Sequence, residues 1–143
     1  MTGPGPDALL SPQTASLADA VRRIMAGTGF KRGIERFVAA FHRHAGDRQP
    51  LIYEAPPFTG NAQHDAYIAA VAEHLARSHD MPVPRWTQDA RRFLNRPWFL
   101  PEGSMADTPV AFRKRMIYTK GDPLKQKTRP VGPGDPADQD PSP

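Results

Sequence analysis

Residues 84–118 read PRWTQDARRFLNRPWFLPEGSMADTPVAFRKRMIY. Both tryptophans of the chain, Trp86 and Trp98, lie in this stretch, together with Phe93, Phe99, Phe112 and Tyr118. Aromatic side chains carry the largest apolar area per residue. Trp86, Phe93, Trp98, Phe99 and Phe112 are therefore expected to close a hydrophobic core. Prolines punctuate the stretch. A helix beginning near Thr87 is expected to stop at Pro97, because the residue before proline is biased away from helix. Trp86, just ahead of that start, has the position of a hydrophobic staple. Thr108-Pro109 reads as an N-cap followed by proline at the first helical position, opening a last short helix.

Upstream, the apolar residues recur at helical spacing. Ser16 with Asp19 three residues on forms a relaxed capping box, and Leu17, Ala20, Val21 and Ile24 follow on one face. Gly27 and Gly29 end this helix, since glycine tolerates the left-handed conformation there. A second helix, Lys31 to Ala45, presents Ile34, Phe37, Val38 and Phe41, and its short connection to the first implies an antiparallel hairpin. Residues 46–60 are expected to be loop, because Pro50, Pro56 and Pro57 oppose regular helix. A third helix runs from Ala62 to Ser78, capped by Asn61 and rich in alanine, which favours helix and permits close helix approach. No alternating strand pattern is present. The expected fold is all-α, a single compact domain of four to five helices.

The ends differ in composition. Residues 1–13 hold Pro4, Pro6 and Pro12 with Gly3 and Gly5; residues 119–143 hold six prolines, four Lys/Arg and four Asp. Such compositions do not bury enough apolar surface to offset the entropy of ordering. The expected organisation is thus a disordered arm over 1–13, a helical domain over 14–118 and a disordered Pro-rich tail over 119–143.

Cysteine is absent, which excludes a disulfide framework, a thiolate zinc site and a thiol nucleophile. A cytoplasmic location is expected. No apolar run approaches a membrane span, and no signal peptide is legible at the N-terminus. The formal charge is +4, and the tail contributes none of it. A positive excess suits an acidic partner or nucleic acid, and it is also common in soluble proteins.

The five histidines form no compact ligand pattern, so no metal and no cofactor are expected. Glu73 and His74 are adjacent on a helix and diverge by roughly 100°, so they do not make an acid–base pair. No serine elbow or phosphate loop occurs. An enzyme is not expected. The remaining candidates are basic. Arg85, Arg91, Arg92 and Arg96 are interleaved with Trp86, Phe93 and Trp98, and Arg113, Lys114 and Arg115 lie next to Phe112 and Tyr118. Basic residues among aromatics bind phosphates and stacked bases; equally, they are solvated flanks of core aromatics with cation–π contacts. Both readings stand at this level.

The pattern Pro84-x-Trp86, Phe93-Leu94, Pro97-Trp98-Phe99 and Thr108-Pro109-x-Ala111-Phe112-Arg113-x-Arg115-x-Ile117-Tyr118 resembles the C-terminal domain of small bacterial antitoxin-like proteins. The resemblance spans residues 16–118, and its specific part is 84–118. Members of that group are commonly preceded by a helix-turn-helix domain and paired with a nucleotidyltransferase-like toxin. Only residues 1–15 precede the first expected helix, so no helix-turn-helix is expected here. The resemblance implies a non-enzymatic module that binds and restrains a partner enzyme, the product of a neighbouring gene, and of its matching positions Arg113 and Arg115 could reach a ligand; Arg91 and Arg92, from the basic run, complete the expected partner-binding set. The alternative is a small basic nucleic-acid-binding or regulatory protein.

Overall fold

The computed structural model describes residues 16–125. Among them are five α-helices, α1 (Leu17–Met25), α2 (Phe30–Arg43), α3 (Pro50–Tyr53), α4 (Ala62–Ser78) and α5 (Val110–Arg113). Two short strands, β1 (Trp98–Phe99) and β2 (Ile117–Tyr118), complete the set. The domain is mostly helical, as expected. The expectations for residues 1–13, and for the tail beyond 125, lie outside the described residues.

The two clearest helices begin where their caps place them. The Asp19 amide donates to Ser16 Oγ at 3.1 Å, opening α1, and the His64 amide donates to Asn61 Oδ1 at 3.1 Å, opening α4. Each bond satisfies a backbone N–H that the first helical turn leaves without a partner. Gly27 takes φ 132° and ends α1, a conformation that costs glycine little. α4 is the central element. Residues Ala66, Ile68, Ala70, Val71, Leu75 and Ala76 are buried along its length, the mark of a helix surrounded by protein. α1 and α2 form the expected hairpin, and Leu17, Val21, Ile34 and Phe41 pack with α4 residues in one core.

Four expectations are corrected. Residues 46–60 contain one helical turn, α3, because Pro50 occupies its first position, where the missing N–H is not needed. Leu51 and Ile52 from this turn are buried. Second, the helix expected from Thr87 is two 3-10 turns, Arg85–Gln88 and Ala90–Arg92. Asp89 between them is extended, with ψ 131°, and its carboxylate accepts from the Arg91 amide at 2.9 Å. A tertiary bond and a local one hold this shape: the Trp86 indole N–H donates to the Ile52 carbonyl at 3.0 Å, and Thr87 Oγ1 donates to the Pro84 carbonyl, three residues back, at 2.6 Å.

Third, the chain forms strands where none was expected. β1 and β2 run parallel, Trp98 opposite Ile117 and Phe99 opposite Tyr118. The Trp98 amide donates to the Met116 carbonyl at 2.8 Å and the Leu100 amide to the Tyr118 carbonyl at 2.9 Å. The crossover between them carries α5. Thr108 does not cap α5; its hydroxyl donates to the Ser104 carbonyl at 2.6 Å and accepts from the Thr119 amide at 2.8 Å. Gly103 lies against the Tyr118 carbonyl so closely that a Cβ there would overlap backbone. Of the five aromatics assigned to the core, Phe112 is fully buried, Trp86, Phe93 and Trp98 are partly buried, and Phe99 is 53% exposed.

Fourth, the fold continues beyond residue 118. Thr119 and Leu124 are buried, and Asp122 meets His74 Nε2 at 2.9 Å. Residues 119–125 therefore pack against the domain, Asp122 reaching α4 at His74.

These placements set a stability order that urea denaturation measures. Phe112→Ala is expected to cost about 3–5 kcal/mol, and Gly103→Ala about 1–3 kcal/mol from overpacking against Tyr118. Phe99→Ala is expected to stay within about 0.5 kcal/mol of the wild type. Equal losses for Phe99→Ala and Phe112→Ala would contradict this packing.

Candidate functional site

α4 buries a carboxylate. Glu73 is 0% exposed, in a helix whose other buried side chains are almost all small or apolar. Four donors converge on it. Arg115 Nη1 lies 2.8 Å from Oε1, Arg77 Nε 2.8 Å from Oε2, Lys114 Nζ 3.0 Å from Oε2 and Gln88 Nε2 3.1 Å from Oε1. Burial alone would raise the Glu73 carboxyl. The hydrogen bonds from Gln88, Arg115, Arg77 and Lys114 overcome it and hold the group at about 2. Glu73 is therefore ionised throughout the neutral range.

Arg115 is as buried as its partner. Its guanidinium also donates to the Ala111 carbonyl at 2.7 Å and to the Thr87 carbonyl at 2.5 Å, and it lies over the Phe93 ring at 4.4 Å. Burial pushes its pKa down while Glu73 pushes it up. Arg92 is likewise interior. It donates to the Pro56 carbonyl at 2.7 Å and to the Asp65 carbonyl at 3.4 Å, and lies 4.0 Å from the Phe58 ring centre. The sequence-based assignment of Arg92 and Arg115 to a partner surface is thus corrected: both are structural ties between segments. Arg91 and Arg113 are exposed. Arg91 is paired with Asp89 at 2.7 Å and sits 4.4 Å over Phe58; Arg113 makes a long bond, 3.3 Å, to the Thr108 carbonyl. The four arginines are not brought together on one face.

Glu73 and His74 face apart, Glu73 to Arg115 and His74 to Asp122. His42 and His79 stand 5.6 Å apart, ring centre to ring centre. Burial and the neighbouring Arg48 charge lower both of their pKa values. Among the described residues no group of His, Asp, Glu or Cys is arranged to hold a metal ion. No described helix is long and apolar enough to cross a membrane.

A further concavity lies elsewhere. A cleft of about 700 Å³ is walled by Phe30, His64, Tyr67, Trp98, Leu100 and Leu124. Its aromatic rings form a continuous run. Phe30 stacks on His64 at 3.8 Å, Tyr67 meets Phe30 edge-on at 5.6 Å, and Trp98 meets Tyr67 edge-on at 6.2 Å. Burial, with the charges of Asp122 and Glu35, pushes the Tyr67 hydroxyl up to about 12, so it is a hydrogen-bond donor at neutral pH. Lys31, Glu35 and Lys125 also line the cleft. Sequence reading did not single out this cleft. Its lining comes from α2, α4, β1 and residues 123–125, which only the fold brings together.

No family model matches the chain, and neither a curated protein nor a solved structure matches it. The resemblance of residues 84–118 stands on the quoted residues alone.

The Glu73 cluster sets an acid dependence. A carboxyl lowered from 4.5 to about 2 in the folded chain contributes stability that is fully present above pH 4.5 and lost as pH falls toward 2, on the order of 3 kcal/mol. Glu73→Gln is expected to lower stability at pH 7 by about 3–5 kcal/mol, because Arg115 stays buried without its counter-charge. It should also flatten the pH profile between 4.5 and 2. Urea titrations across that range measure both, and an unchanged acid slope in Glu73→Gln would exclude Glu73 as its source.

Proposed function

We propose that this chain is a non-enzymatic, antitoxin-like interaction module that binds and restrains a partner enzyme of the nucleotidyltransferase-like kind. The observation that supports this reading is the surface of residues 99–113. Phe99, Met105 and Val110 are exposed at 53%, 56% and 43%, and Arg113 is exposed beside Val110 in α5. Contiguous exposed apolar patches mark docking faces, and Phe99, Met105 and Val110 supply such side chains along one stretch of the chain. A guanidinium among them suits an acidic rim, such as that of a nucleotide- or metal-binding cleft. Arg113 takes over the role first given to four arginines; Arg91 is tied to Asp89 over the Phe58 ring. The remaining motif residues, Phe112, Arg115 and Ile117 above all, maintain the fold. The nucleic-acid alternative is weaker, because Arg92 and Arg115, two of the cations set among the aromatics, are interior.

The test is affinity capture of the neighbouring gene's product, co-expressed with the chain. The wild type is expected to retain it and to relieve its toxicity. Phe99→Asp and Arg113→Glu are each expected to weaken capture about tenfold or more while the helical circular dichroism persists. A harmless neighbour, or capture indifferent to both substitutions, would sink the proposal. Nucleic-acid binding, if it were the function, would appear at low salt and fall steeply as salt rises.

A further inference from the structure

The aromatic cleft has no part in the partner face just described, and the chain itself supplies a segment that fits it. Lys125, where the described residues end, is one of the cleft's lining residues, as are Pro123 and Leu124. Residues 123–125 therefore lie along the cleft wall. The sequence that follows is QKTRPVGPGDP, with Pro130, Pro133 and Pro136 spaced by three. A polyproline II helix has three residues per turn, so in that conformation prolines spaced by three would share one edge. Such edges dock into grooves lined by aromatic rings, where the preformed backbone loses little entropy and its carbonyls accept from ring-borne donors. The cleft offers that lining. His64, Phe30, Tyr67 and Trp98 form the ring series, and Tyr67 and Trp98 carry an O–H and an N–H donor.

Charge and reach agree. Lys31 and Glu35 face each other across 3.9 Å, which leaves Lys125 as the unbalanced charge of the described lining, so recognition rests mainly on the rings. The segment from Arg129 to Pro136 is neutral, with Arg129 at one end and Asp135 near the other. Residues 126–129 separate Lys125 from Pro130, a span of at most about 18 Å when extended. Attachment this short gives an effective concentration in the ~mM range, so a weak proline–aromatic contact suffices.

We infer that the cleft is the receptor for the chain's own proline-rich segment, Arg129–Pro136, bound within the same molecule. The inference does not depend on the partner reading, since its test uses the isolated full-length chain.

The two indole N–H signals in NMR spectra provide the readout. Trp86 donates to the Ile52 carbonyl and reports on the fold; Trp98 lines the cleft. The full chain carrying Pro130→Ala, Pro133→Ala and Pro136→Ala is expected to shift the Trp98 signal and leave Trp86 in place. A synthetic peptide of residues 127–138 should then return the Trp98 signal toward its wild-type position. The same peptide should bind the wild-type chain about tenfold or more weakly than the triple variant, because the tethered segment competes. A Trp98 signal that ignores the three substitutions would overturn the inference, as would equal peptide affinity for both chains. A wild-type Trp98 signal that moves with protein concentration would overturn the intramolecular form, placing the segment in a second copy.

Discussion

The carboxylate of Glu73 is fully buried, and segments distant in sequence converge to keep it charged there. A buried ion without partners is prohibitively costly. Its donors come from three places: Arg77 from the next turn of α4, Gln88 from the first 3-10 turn, and Lys114 and Arg115 from the end of α5. Meeting that requirement fixes where the whole segment 84–118 lies on α4. Arg115 extends the constraint, since its bonds to the Thr87 and Ala111 carbonyls lock the 3-10 turn to α5. Once α5 is placed, Met116 at φ 64° turns the chain into β2, and β2 finds β1.

Much of this was legible in sequence, and the part that was not shares one cause. α1 and α4 obey local rules, a capping side chain followed by apolar residues at helical spacing, and their starts are read directly at Ser16 and Asn61. Segment 84–97 has comparable local signals, yet it folds as two 3-10 turns. Its shape is decided by bonds to distant groups, Trp86 to Ile52 and Arg92 to Pro56. The strands are two residues long, too short for alternation to show. Pro50 reads as a breaker until its position at the start of α3 is known.

Arg92 and Arg115 were misread for the same reason. An arginine beside aromatics looks like a solvated flank, and nothing within a few residues reveals a buried partner on another element. A signal did exist on the other side of the pair. Glu73 stands among Ala69, Ala70, Val71, Ala72, Leu75 and Ala76, and a carboxylate in so apolar a helix requires a cation from elsewhere. Reading the helix for its odd member, rather than the arginines for their neighbours, points to an internal ion pair. The functional surface shrinks accordingly, from four arginines to Arg113 with its exposed apolar neighbours, and the aromatic cleft becomes a separate feature of the same domain.

The dependence of the fold on the Glu73–Arg115 pair is measured most directly by a double-mutant cycle. Glu73→Leu and Arg115→Met each leave one side of the pair without its counter-charge, while the double variant removes both charges and keeps much of the volume. If the pair anchors segment 84–118 on α4, each single change destabilises strongly and the double change costs less than their sum, by about 2 kcal/mol or more. Costs that add to within about 0.5 kcal/mol would contradict it.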